Sequence, residues 1–467
     1  MKDLNRDKID FGSGDIASTF TSILGPTLLG LTFSAVFLLT DGIFVGNGIG
    51  SDGLAAVNIV SPIFTLETGI GMMFAIGASV AAAIHLARNN VKAARIVVTQ
   101  AYLSVLLLGA LLATTLYLFP EPILKLLGAN EALMAQCREY YLWFAPCGLF
   151  VMMQLVAQFI IRLDGSPKFA SLVEIIPACF NLFLDWLFIF PCQLGLKGAA
   201  LATSIGSFTG VLMALWYTIF KRQTLSLYKL KRSMTSLLLS LRNIWHMMKI
   251  GFSGFLSEFS MSVLTLAGNY AFMRMLGEDG VAAFCIACYI APVVYMVCAA
   301  IAQSAQPIIS FNYGKGDWQR VRKTLRISMY CAIAFGLVMS LALGFFAKDV
   351  LTIFLERGGN AYNLCAKGFP LYAVSLFFLG INVNAIGYYQ SIEQTLKSTV
   401  FTLMRGIAFP VAAFIVLPRI IGEMGLWAAI PVSESLTALI ILISSKLFPA
   451  KSSGQTQAEV KSASEQE

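Results

Sequence analysis

The chain has 467 residues, of which 57% are hydrophobic and 12% charged, with a formal charge of +8. Soluble proteins carry about 25% charged residues, so this chain has too few charges to coat a water-exposed surface. A mean hydropathy of +0.76 agrees, and the composition points to a polytopic membrane protein, in which a basic excess belongs to cytoplasmic loops rather than to nucleic-acid binding.

Residues 1–15 are polar. The apolar run from Ile16 to Val45 is too long for a signal-peptide core and has no cleavage site after it, so it is expected to stay as a first helix. A membrane helix needs about 20 apolar residues. Twelve runs qualify: 16–45, 54–85, 97–118, 139–161, 169–190, 198–219, 250–273, 281–313, 327–346, 368–389, 399–417 and 424–444. With the N-terminus inside, the inner segments hold 24 Lys and Arg and the outer segments 8. The positive-inside rule therefore predicts that both termini are cytoplasmic. The expected organisation is an N-terminal six-helix bundle (1–219), a basic cytoplasmic linker (220–249), a C-terminal six-helix bundle (250–447) and a disordered cytoplasmic tail (448–467).

The two halves are copies. "GSDGLAAVNI" (50–59) and "GEDGVAAFCI" (277–286) share six of ten residues at an offset of 227. The same offset brings Arg95 onto Arg322. Six helices per copy give both copies one orientation, which makes a parallel repeat. Transporters place substrate and ion sites near the midplane at repeat interfaces and work by alternating access. Other chemistry is poorly supported. There is no Walker A, G-x-S-x-G or H-E-x-x-H motif. The C-x-x-C of Cys285 and Cys288 lies inside an apolar run without a second pair, and the two histidines, His85 and His246, form no ligand cluster. An enzyme is not expected.

Charged residues inside apolar runs cost at least ~2.5–3.5 kcal/mol each on insertion scales, so they mark partners or tasks. The first half holds Asp41, Glu67, Glu174 and Asp185. Asn181 and Asp185 share a helix face at i, i+4. Carboxylates with an amide oxygen can share a proton or ligate a hard cation such as sodium. The alternative is a hydrogen-bonded acid that ties helices together. Pro26 lies in the same run as Asp41 and predicts a kink. In the second half, Arg405 is expected to balance Glu258 or Glu434.

Four stretches, "RLDGSPKFA" (162–170), "NLFLD" (181–185), "GLKGAALAT" (195–203) and "QPIISFNYGKGDWQRVR" (306–322), resemble the multidrug and toxic compound extrusion (MATE) family, nearest its bacterial MepA-like branch. The resemblance covers residues 10 to 447. It implies an all-α fold of two six-helix bundles and an antiporter in the bacterial inner membrane. Such an antiporter exports cationic amphipathic drugs in exchange for protons or sodium. Asp41, Asn181 and Asp185 carry over as the ion-coupling network, with Thr203 nearby, and sodium as the possible metal. Glu258 matches an acid of the second bundle that binds cation or substrate in some members. An aspartate that some sodium-coupled members carry in the tenth span is absent here, and Asn382 and Asn384 are expected to line the cavity instead. The family shares Pro26, whose bend would respond to protonation of Asp41. No cofactor is implied, the substrates are small organic cations, and a monomer is expected. Two alternatives remain, a flippase of a lipid-linked precursor and a dedicated metabolite exporter. Flippases favour basic cavity residues, and the buried charges here are mostly acidic.

Overall fold

A computed structural model describes residues 9–231, 233–354 and 357–447. The tail 448–467, expected to be disordered, lies outside the described residues. All regular structure among those residues is helical: α1 (Ile16–Gly48), α2 (Ser51–Ala87), α3 (Val91–Leu118), α4 (Pro120–Leu126), α5 (Met134–Phe144), α6 (Cys147–Leu163), α7 (Pro167–Ile189), α8 (Gly195–Trp216), α9 (Met234–Lys315), α10 (Trp318–Phe345), α11 (Ala347–Phe354), α12 (Asn360–Ser391), α13 (Thr395–Leu403), α14 (Phe409–Ile421) and α15 (Glu423–Leu447). Wide π-helical turns, Tyr217–Lys221 and Met404–Ala408, follow α8 and α13.

Ten of the described helical segments are long and apolar enough to cross a membrane, and α5 with α6, bent by 43°, make an eleventh. The 82 residues of α9 would run about 120 Å as one rod at 1.5 Å per residue, far beyond a bilayer core of about 30 Å. Gly277 breaks it with φ 68° and ψ −154°, so α9 holds two spans. That yields the twelve spans expected from the sequence.

The repeat is written into the backbone turns. Gly50 (φ 100°) and Gly277 (φ 68°), 227 residues apart, both adopt the left-handed region that favours glycine. Asn89 and Gly316 do so at the same offset, as do Gly195 and Gly422. Directly after the second pair, Asn90 caps α3 through the Ala93 N–H and Asp317 caps α10 through the Arg320 N–H, each at 3.0 Å. The equivalent helices thus begin with the same stop-and-cap turn in each half.

The chain forms two compact units, which exchange ends relative to the sequence halves. Among the described residues, the first comprises 21–262, with 9 and 10 grouped to it; the second comprises 11–20 and 263–447. In the first unit, α2 and the start of α9 cross with no space for side chains. A Cβ at Gly77 would strike the backbone of Met247, and one at Gly251 the backbone of Met73. Small residues permit such close approach. In the second unit the entry segment is tied down by Asn312, whose Nδ2 donates to the Phe11 carbonyl at 2.9 Å, and by Arg320, whose Nη2 donates to the Gly14 carbonyl at 2.7 Å. Asp15 caps α1 through the Ser18 N–H at 3.0 Å. That hydrogen bond, with Lys323 nearby, holds its carboxyl below the ordinary carboxylate range.

The segment expected as a basic linker is partly held against the helices of the first unit. Asp164, buried after α6, accepts the N–H groups of Gln223, Thr224 and Leu225 at 2.7–2.8 Å and the Tyr217 hydroxyl at 2.9 Å. Arg95 holds the Thr224 carbonyl, and the Tyr228 N–H donates to Thr99. From Met234 the remainder is already helix.

Candidate functional site: an acid cluster in the first unit

The first unit brings Asp41 of α1, Asn181 and Asp185 of α7 and Thr203 of α8 to one place. Glycine sets the spacing of α7 and α8: a Cβ at Gly206 would lie 2.8 Å from that of Asn181. Asn181 Nδ2 donates to Thr203 Oγ1 at 3.3 Å, and the Thr203 hydroxyl is anchored on the Ala199 carbonyl at 3.1 Å. Asp185 is fully buried and Asn181 nearly so. The Asp41 carboxyl makes a side-chain contact with that of Asp185 at hydrogen-bonding distance. Both Asp185 oxygens and Asn181 Oδ1 are enclosed and receive no hydrogen bond from a conventional donor. The Tyr140 ring of α5 lies within electrostatic reach of both acids.

Four acceptor-bearing groups thus converge and no basic side chain joins them among the described residues. Two carboxyl groups in contact must share a proton or flank a cation, because two adjacent bare charges in an enclosed site repel strongly. The site has the donor chemistry of a hard-cation or proton site. It belongs to one copy only: positions 227 residues on are Gly268, Ala408, Ala412 and Ile430.

The other expected residues are placed differently. Glu258 falls in the first unit, not with Asn382 and Asn384 in the second, because the opening arm of α9 is held on α2 by the glycine crossing. Asn382 and Asn384 are enclosed in helix packing rather than free to line a cavity. Asn384 Nδ2 donates to Ser328 Oγ at 3.1 Å. Asn382 Nδ2 donates to the Glu434 carbonyl at 2.8 Å and to its Oε2 at 2.6 Å. Arg405, on the π turn, pairs with Glu434 and not with Glu258: Nε lies 2.8 Å from Oε1. Pro26 lies half-buried inside α1, which remains helical around it. Glu174 accepts from Ser34 Oγ at 2.8 Å, with the Arg162 guanidinium in electrostatic reach. No role was expected for Asp164, although it stands within the stretch 162–170, or for Tyr140. Asp164 carried a signal in its glycine-flanked turn, whereas Tyr140 reads as one more aromatic in an apolar run.

The MatE family model matches residues 26–187 and again 254–415, once in each half. The chain belongs to the MatE family. It is similar to a protein of Shewanella oneidensis named FAD transporter, 24% identical over 93% of this chain and 95% of that one. It is also similar to the multidrug export protein MepA of Staphylococcus aureus, 22% identical over 90% of this chain and 91% of that one. Among solved structures, a multidrug resistance MATE transporter of the MOP superfamily in its outward-facing conformation matches with a TM-score of 0.86 at 20% identity. The match covers 96% of this chain and 98% of that one. A MOP superfamily transporter from Pyrococcus furiosus matches equally well, with a TM-score of 0.86 at 20% identity, 96% of this chain and 98% of that one. The protein is accordingly a multi-pass membrane transporter of this family with its two-lobed all-α fold.

Proposed function

We propose that the protein is a secondary-active antiporter of a bacterial cytoplasmic membrane, exporting cationic amphipathic compounds by alternating access in exchange for protons or sodium ions. The observation that carries this reading is the Asp41–Asp185 pair, with Asn181 Oδ1 and the Asp185 oxygens enclosed and unsatisfied. A purely structural acid would have drawn a donor, as Glu174 and Glu434 do. Loading the pair with a proton or sodium neutralises it. Releasing that ion recreates a charge that must be solvated or repacked, which biases two arrangements of the helices carrying it. Thr203 and Asn181 orient the site, and Pro26 gives α1 a place to bend. Similarity to MepA supports a drug-like substrate. Similarity to the Shewanella oneidensis FAD transporter favours a second reading, a dedicated carrier of a metabolite through the same coupling site.

The test is efflux of a fluorescent organic cation from loaded, pump-deficient bacterial cells, in sodium-free and sodium-containing buffer, for the wild type and Asp41→Asn. Efflux that survives without sodium, collapses with a protonophore and is lost in Asp41→Asn supports proton coupling at this site. Efflux that requires sodium and is lost in Asp41→Asn supports sodium there. No efflux under any condition, with the protein folded in the membrane, overturns the drug-export reading in favour of the metabolite carrier.

A further inference from the structure

One acid of the first unit is used by nothing described above. Glu67 of α2 is 2% exposed, and its Oε2 is enclosed with no hydrogen-bond partner. Its carboxyl fills the space left by Gly148 at the start of α6, where no Cβ fits. The titratable groups in electrostatic reach are the Tyr141 phenol of α5, whose hydroxyl is itself enclosed without a partner, and the Cys147 thiol of α6. Neither is cationic. The hydroxyl of Thr68, the next residue, is also enclosed and unpartnered. Glu174 and Glu434 have donors and guanidinium groups; Glu67 has neither. An isolated carboxylate charge cannot be held at such a place without a cost of several kcal/mol. The form that avoids this cost is the neutral carboxylic acid.

Glu67 is also connected to the acid cluster. Cys147 Sγ lies 3.5 Å from Ser207 Oγ and 3.8 Å from the Thr203 carbonyl. Thr203 in turn takes the Asn181 amide. One residue thus separates Glu67 from the helix that carries the coupling hydroxyl.

We propose that Glu67 is a second proton-binding site of the first unit, loaded and unloaded in the same cycle as the Asp41–Asp185 pair. The proposal rests on the antiport reading for its role in transport. The ligand is a proton held as a neutral carboxylic acid, released when α2 and α6 part enough for water to solvate the carboxylate.

The experiment counts protons on the purified full-length protein in detergent, without substrate. Unbuffered samples of wild type, Glu67→Gln and Asp41→Asn/Asp185→Asn are titrated across the neutral range. Infrared difference spectra between acid and alkaline samples follow the carbonyl stretch of protonated carboxyls. The expected result is that Glu67→Gln binds about one proton fewer than the wild type and loses one protonated-carboxyl band, while Glu67→Asp keeps a shifted band. If Glu67→Gln does not elute as a folded species, Glu67→Met gives the same readout at similar volume. An unchanged proton count with the full set of bands in the Glu67 variants overturns the proposal. A full count in Asp41→Asn/Asp185→Asn overturns proton loading of that pair instead, and with it a shared proton cycle, because the Glu67 variants report on Glu67 alone.

Discussion

Glu434→Gln tests how far the second unit depends on its enclosed charge pair. Arg405 and Glu434 are 9% and 6% exposed, their closest atoms are 2.8 Å apart, and Asn382 donates to the second carboxylate oxygen at 2.6 Å. Glutamine keeps the volume and removes the charge, leaving the guanidinium enclosed without its carboxylate. Exposed pairs contribute about 0–1 kcal/mol, whereas removing one partner of a buried pair costs about 3–5 kcal/mol. The exposures place this pair in the second class, so a loss of about 3–5 kcal/mol is expected. Arg405→Met is expected to cost a similar amount, because it strands the carboxylate on Asn382 alone. Arg405→Met/Glu434→Gln removes both charges and is expected to be more stable than either single variant. The assay is chemical or thermal unfolding of the four proteins in one detergent, read as a double-mutant cycle. Single variants within about 1 kcal/mol of wild type, or effects that simply add, would refute the reasoning.

Two further outcomes follow from the turns and the built-in linker. Asp164→Ala strands three backbone N–H groups, each worth about 1–3 kcal/mol when left unsatisfied, so limited proteolysis is expected to cut within 223–231 at lower protease concentration; an unchanged cleavage pattern would count against the clamp. Gly50→Ala adds a side chain where no atom lies within 4 Å, so its expected loss of about 1–3 kcal/mol is backbone strain alone. Gly277→Ala, at the equivalent turn, is expected to lose a similar amount, and unchanged unfolding in both variants would show that these turns re-form without a left-handed residue.

The membrane class, the twelve spans and the duplication were legible in the chain itself, because each rests on local physics. Lipid demands about 20 apolar residues per helix, and a duplicated segment keeps its turn residues, so Gly50 and Gly277 announce the same bend. Asn181 and Asp185 were also legible, since four residues along a helix return to the same face. Other features depended on which helices approach one another. Nothing in the spacing says that Asp41 meets Asp185 across 144 positions, or that Arg405 takes Glu434 and leaves Glu258. The glycine crossing of α2 and α9 decides that Glu258 belongs to the first unit, and Gly148 decides that Glu67 has a place to be enclosed. Burial and partnership are properties of packed surfaces. The order of residues sets which acids lie within apolar helices; only tertiary packing decides which acid receives a donor, which a second acid, and which neither.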